Sequence, residues 1–81
     1  DGMAFDYSKL RGRIREKYGT QEKFAKAMGL AKATVSKKLN NIVYWTQDEI
    51  NCACNLLGIG DTEVTLYFFT QEVQKTKQKA E

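Results

Sequence analysis

Three lysines, a threonine and a serine lie between Ala31 and Asn40, and they are the residues of this chain whose types and spacing could do chemistry. That chemistry is attraction and hydrogen bonding toward a polyanion. If residues 32–40 form a helix, Val35 and Leu39 turn inward, and Lys32, Ala33, Ser36 and Lys37 are left on the outside. Catalytic chemistry has far less to build on. There is no histidine, so the usual general base near neutral pH is missing. No phosphate-cradling glycine loop, dinucleotide fingerprint or nucleophile elbow occurs. Cys52 and Cys54 are the only thiols. Two places along a helix are about 200° apart, so these thiols face different ways and cannot bridge each other. With no further cysteine or histidine to complete a zinc site, neither a metal nor any other cofactor is expected. The chain reads as a binding protein and not an enzyme.

Placing the outward row requires short helices with sharp ends, and the sequence marks several. Ser8 or Asp6 can cap a first helix over about Tyr7–Lys17, in which Leu10, Ile14 and Tyr18 recur at four-residue spacing. Arg11, Arg13 and Arg15 lie off that stripe, and Gly19 stops it. Thr20 caps a second helix, Gln21–Met28, whose apolar side is Phe24, Ala25 and Met28. Gly29 suits the left-handed residue that ends a helix, and Leu30 tucks in behind it. A third helix spans about Lys32–Asn40. Residues 41–46 connect onward, with Ile42, Tyr44 and Trp45 available for packing. Thr46-Gln47-Asp48-Glu49 is a full capping box for a fourth helix to Leu57, in which Ile50, Ala53, Cys54 and Leu57 follow helical spacing and Gly58 closes. A short fifth helix, from Asp61 or Thr62 to Phe68, adds Val64, Leu66 or Tyr67, and Phe68. The expected fold is all-α, a compact bundle of about five short helices. Asp1 and Gly2 read as an expression remnant, residues 3–69 as the domain, and residues 70–81 as a polar, flexible tail with a strand-like or frayed beginning.

The net charge is only +3, but it is unevenly spread. Residues 1–40 hold ten Lys and Arg against four acids, whereas residues 41–81 hold three Lys against six. A basic half beside an acidic one suits a protein that presents one face to a polyanion. No apolar run approaches the roughly 20 residues needed to span a membrane, and no basic-then-apolar secretory leader is read in the sequence. A cytoplasmic protein is expected, with no membrane partner and no small-molecule substrate.

Within Gln21–Asn40 each special residue has a mechanical task if two short helices cross steeply. Ala25 lets them approach, Gly29 makes the turn, and Phe24, Met28, Leu30, Val35 and Leu39 pin both to the rest of the domain. Gln21, at the start of the second helix, can bond a phosphate there. This segment resembles the helix-turn-helix of phage Cro proteins and lambda-type repressors in its small, glycine and apolar positions, Ala25, Gly29, Leu30 and Val35. The wider chain is similar to small phage-encoded Cro/repressor-like proteins over about Ala4–Val73. It carries the resemblance from Ala4-Phe5 through W-T-x-D-E-I and Leu56-Leu57-Gly58-Ile59 to Tyr67-Phe68-Phe69.

The resemblance implies a lambda-repressor-like bundle in which the third helix reads the major groove of a double-stranded operator. Base reading then falls on Ala31, Lys32, Ala33, Ser36 and Lys37, with the two lysines suited to guanine O6 and N7 and Ala33 to a thymine methyl. Phosphate contacts fall on Thr20, Gln21, Thr34, Lys38, Asn40 and Asn41, with the first-helix arginines adding non-specific attraction. A homodimer is implied at least on DNA, because one helix reads few base pairs; its contact is sought around Tyr67–Val73. The setting implied is the cytoplasm of a bacterial host, with the protein encoded by a phage or prophage.

Two departures stand out. Ala31 occupies a place where Ser or Thr often caps the third helix, at a cost of about 1 kcal/mol. Leu39 closes that helix one place later than in some relatives, with Lys38 in the earlier place, a rotation of about 100°. The aromatic group Tyr44, Trp45, Tyr67, Phe68 and Phe69 reads as core or dimer contact in preference to base stacking. The other reading is a helical protein-binding module, such as an antirepressor, that uses the same scaffold; the polar, basic outside of the third helix favours DNA.

Overall fold

The computed structural model describes residues 4–72, and the expected remnant at Asp1–Gly2 and most of the expected tail lie outside the described residues. Five helices follow in order: α1 (Ser8–Tyr18), α2 (Gln21–Met28), α3 (Lys32–Leu39), α4 (Gln47–Leu57) and α5 (Val64–Phe68). A 3-10 turn at Asp61–Glu63 leads into α5, where one continuous helix was expected. The described chain is all-helical apart from one isolated antiparallel bridge, Phe5 with Gln71. Asp6 N–H donates to Thr70 O at 2.7 Å and Glu72 N–H to Ala4 O at 3.1 Å. Thr70–Glu72 is therefore a paired segment, the strand-like alternative for the start of the expected tail.

The core forms where the helical stripes meet. Leu10 and Ile14 of α1, Phe24 and Ala25 of α2, Val35 and Leu39 of α3, Ala53, Cys54 and Leu57 of α4 and Phe68 of α5 are buried together. Tyr18, Met28, Leu30, Ile50 and Val64 are half-buried against them. Burying one such large side chain stabilises the fold by roughly 1.5–3 kcal/mol. Tyr7, Trp45 and Ile59 complete the core from outside the helices. The Trp45 ring lies edge-on to Phe68 at 5.4 Å and to Tyr7 at 6.5 Å, which ties the α3–α4 connection to the last residue of α5 and to the residue before α1.

The neighbours of Trp45 do not join it. Ile42 and Tyr44, expected to be available for packing, are exposed, as are Leu66 and Phe69. The polar termini of α2 and α4 are solved locally. The Thr20 hydroxyl accepts from Lys23 N–H at 3.1 Å, and Thr46 and Glu49 form the predicted reciprocal box. Gly29 (φ 78°) and Gly58 (φ 69°) end α2 and α4 in the left-handed region. A residue with a Cβ enters that region at a cost of about 1 kcal/mol or more.

Candidate interface around α2 and α3

Between α2 and α3 the chain needs only Gly29, Leu30 and Ala31. Gly29 N–H returns to α2 carbonyls, and Leu30 N–H donates to Ala25 O at 2.9 Å. Ala25 is buried where the helices meet, and Phe24, Val35 and Leu39 anchor both from below. Sequence periodicity had placed each of these inward.

This packing leaves a definite outer row. Ala31, Lys32, Ala33 and Lys37 are exposed, whereas Thr34 and Ser36 are half-buried. Ser36 is also engaged, since its hydroxyl accepts from Asn40 Nδ2 at 3.3 Å. Ala31 provides no side-chain cap, so the α3 amino end lacks the bond that Ser or Thr would supply there. At the start of α2, Gly19, Thr20 and Gln21 share a shallow cleft with Arg11, Ile14 and Arg15. The cleft brings guanidinium-bearing side chains close to a helix amino end, where N–H groups and the helix dipole both favour an anion.

Four residues assigned outward by sequence are directed elsewhere. Lys38 is buried, and its ammonium forms an ion pair with Glu49 at 2.8 Å while donating to Tyr44 O at 2.9 Å. It also lies 6.0 Å from the centre of the Trp45 ring. The expected phosphate contact at Lys38 is thus corrected, because the ammonium points into the α3–α4 junction. Burial pushes the Glu49 carboxyl up, but hydrogen bonds from Lys38 and Thr46 outweigh it and hold the group below its ordinary range.

Asn41, also expected at a phosphate, is exposed but engaged within the fold. It is the non-glycine residue with positive φ, 63°, among the described residues, and its amide clasps the backbone of Phe5. Its Oδ1 accepts from Phe5 N–H at 2.9 Å and its Nδ2 donates to Phe5 O at 3.0 Å. Asn40 stays exposed but accepts from Arg11, which donates at 2.9 Å to Asn40 Oδ1 and at 3.1 Å to Leu39 O. Arg13 donates to Leu57 O and to the Tyr67 hydroxyl, both at 2.8 Å. Two of the first-helix arginines expected at phosphates therefore hold the carboxyl ends of α3 and α4, where unpaired carbonyls attract cations. These pairings span 28 and 44 residues of sequence, and no local pattern announces them. Arg15 remains exposed.

Among the described residues no group of three His, Cys, Asp or Glu side chains is placed to hold a metal. None of the described helices is long and apolar enough to cross a membrane.

Residues 3–71 match the family model described as a protein of unknown function (DUF739). The chain is also similar to the solved solution structure of the modulator of repression (MOR) of the temperate bacteriophage TP901-1 from Lactococcus lactis. The two are 48% identical, with 86% of this chain and 95% of that chain covered and a TM-score of 0.74. No curated protein matches the sequence.

Proposed function

We propose that this chain, which belongs to the DUF739 family, is a small phage regulator that binds double-stranded DNA sequence-specifically through a helix-turn-helix made by α2 and α3. The observation that carries the reading is the outer row of α3, exposed at Ala31, Lys32, Ala33 and Lys37 beside the cationic cleft at the start of α2. Placed in a major groove as in Cro- and repressor-like proteins, Lys32 and Lys37 donate to guanine acceptors and Ala33 meets a thymine methyl. Gln21, Thr20 and Arg15 lie on the side where phosphate passes, and α2 offers its amino end to the same group. Two copies with their third helices about 34 Å apart would read an operator with two-fold symmetry. The similarity to a phage modulator of repression supports a regulatory role in the cytoplasm of a bacterial host.

Selection of bound duplexes from a random library of about 25 base pairs, at near-physiological salt, tests this reading. The expected outcome is an enriched palindrome with half-sites about one helical turn apart. Lys37→Ala then relaxes base preference, whereas Gln21→Ala weakens all sequences alike. Binding without enrichment that disappears as salt rises would exclude sequence-specific reading.

A second reading, action through a protein partner as in an antirepressor, is favoured by the similarity to the phage modulator of repression. The similar phage protein is described as modulating repression, a task compatible with contact to a repressor.

A further inference from the structure

The outer side of α3 carries one side chain whose chemistry is ambiguous by itself. A serine hydroxyl has a hydrogen to donate and lone pairs with which to accept, so in a major groove it can face either kind of base edge. Ser36 is half-buried, and its helical neighbours Lys32, Ala33 and Asn40, three or four places away, are all exposed. Serines inside helices often turn the hydroxyl back to the carbonyl four residues earlier. Ser36 makes no such bond. Its hydroxyl accepts from Asn40 Nδ2 at 3.3 Å, and its own hydrogen has no acceptor among the described residues.

The direction of that bond is set from another helix. Arg11 of α1 donates through Nη2 to Asn40 Oδ1 at 2.9 Å and to Leu39 O at 3.1 Å. A guanidinium has donors and no acceptor, so the Asn40 amide turns its oxygen to Arg11 and its nitrogen to Ser36. The row runs one way, from Arg11 through Asn40 to Ser36, and each bond polarises the next. At its end a lone pair of Ser36 Oγ is occupied, and the hydrogen is the stronger remaining function.

We infer that Arg11 and Asn40 are positioning residues that make Ser36 a hydrogen-bond donor toward the major groove, where it reads a base with an acceptor edge. Guanine offers O6 and N7 there, adenine N7 and thymine O4, whereas cytosine offers only its N4 donor. One position of each half-site therefore rejects cytosine on the contacted strand. The inference rests on the operator-reading proposal above and adds a base rule at Ser36, for which that proposal names none.

The test is selection of bound duplexes by the full chain and by its variants, with base frequencies compared position by position. The unaltered chain should yield a half-site position depleted in cytosine. Ser36→Ala should raise cytosine there about fivefold, the factor of one neutral hydrogen bond, and leave other positions unchanged. Asn40→Asp separates the relay from the serine. Its carboxylate has nearly the same shape and still accepts from Arg11, but it has no hydrogen to give, so Ser36 donates to it and presents lone pairs outward. The preference at that position should invert toward bases with a donor, cytosine N4 or adenine N6. The added negative charge weakens all duplexes alike and leaves this ratio unaffected. Arg11→Met should lose the rejection of cytosine, and Arg11→Lys, which keeps a donor-only group, should regain it. Should Arg11→Met fail to fold, seen as lost helical circular dichroism, the near-isosteric Asn40→Asp decides. An enriched operator whose base preferences survive Ser36→Ala overturns the inference and leaves operator reading intact. Relaxation by Ser36→Ala without inversion by Asn40→Asp gives the reading to the serine alone and overturns the roles of Arg11 and Asn40. Absence of any enriched site overturns operator reading and this inference together.

Discussion

The two connections that flank α3 achieve the same end by opposite means. From α2 to α3 the chain uses Gly29, Leu30 and Ala31, and the bonds of the turn reach only into the two helices it joins: Gly29 and Leu30 N–H back into α2, and Ala31 O forward to α3 N–H groups. From α3 to α4 it uses residues 40–46, and groups from elsewhere in the chain hold this junction in place. Arg11 comes from α1, Glu49 from α4, and Phe5 from the terminal bridge. The first connection is a local solution, in which one glycine removes the steric cost of a left-handed residue. The second is a tertiary solution, in which a left-handed asparagine and a buried ammonium persist only because distant groups receive them. One end of α3 is thus secured by backbone geometry and the other by the rest of the fold.

The largest test of that contrast is Glu49→Gln. Glutamine can still complete the capping box, so the variant removes the charge that faces Lys38, whose side chain is only 7% exposed. Leaving a buried ammonium uncompensated should lower stability by about 3 kcal/mol in urea unfolding. Lys38→Met, which keeps length but removes the charge, should cost less, because the Glu49 side chain retains 20% exposure and its Thr46 partners. Equal losses would show that the ion pair is not what secures the connection. The pair also carries a pH signature. The folded-state pKa of Glu49 lies below the ordinary carboxylate value, so the stabilisation is complete above that value and is lost as pH falls through the lowered one. Lys38→Met should flatten this acid limb, leaving the part that Asp6, also lowered by its hydrogen bonds from Ser8, contributes in the same direction.

Asn41→Ala comes next, at about 2 kcal/mol, combining left-handed strain with the lost bonds to Phe5. Gly29→Ala should cost about 1 kcal/mol, since a Cβ there meets nothing within 4 Å and only the positive φ of 78° opposes it. The difference between the two isolates the clasp. Asn41→Gly should recover the strain but not the clasp, and faster hydrogen exchange at the Phe5 amide should accompany it. If Asn41→Ala and Gly29→Ala cost the same, the clasp contributes nothing to stability.

Ala31→Ser should have the smallest effect and the opposite sign. It gives α3 the side-chain cap that it lacks and should raise stability by somewhat under 1 kcal/mol, read as a higher Tm. No gain would mean that the α3 amino end is already satisfied by other means.

Legibility in the sequence follows the same division. The stripes Leu10–Ile14, Phe24–Ala25, Val35–Leu39 and Ala53–Cys54–Leu57 are readable because helical period alone decides which residues share a face. Thr20, Gly29, Thr46–Glu49 and Gly58 are readable because capping acts within four residues. In the candidate site, the outer positions of Ala31, Lys32, Ala33 and Lys37 follow from the same period. Lys38 defeats that logic: it lies beside the inward face of α3, and only the approach of Glu49 and Trp45 turns its ammonium into the interior. Ile42 and Tyr44 have the composition of core residues, yet of residues 41–46 Trp45 alone is buried.

The amino-acid sequence by itself determined five short helices, the residues they bury, the tight turn into α3 and the uneven spread of charge, because each depends on period, capping or composition within a few residues. Tertiary structure alone decided which polar side chains are available to a partner. Arg11, Arg13, Lys38 and Asn41 are chemically able to bind phosphate. Each lies near a carbonyl or carboxylate from a distant part of the chain, and that proximity directs its hydrogen bonds into the fold.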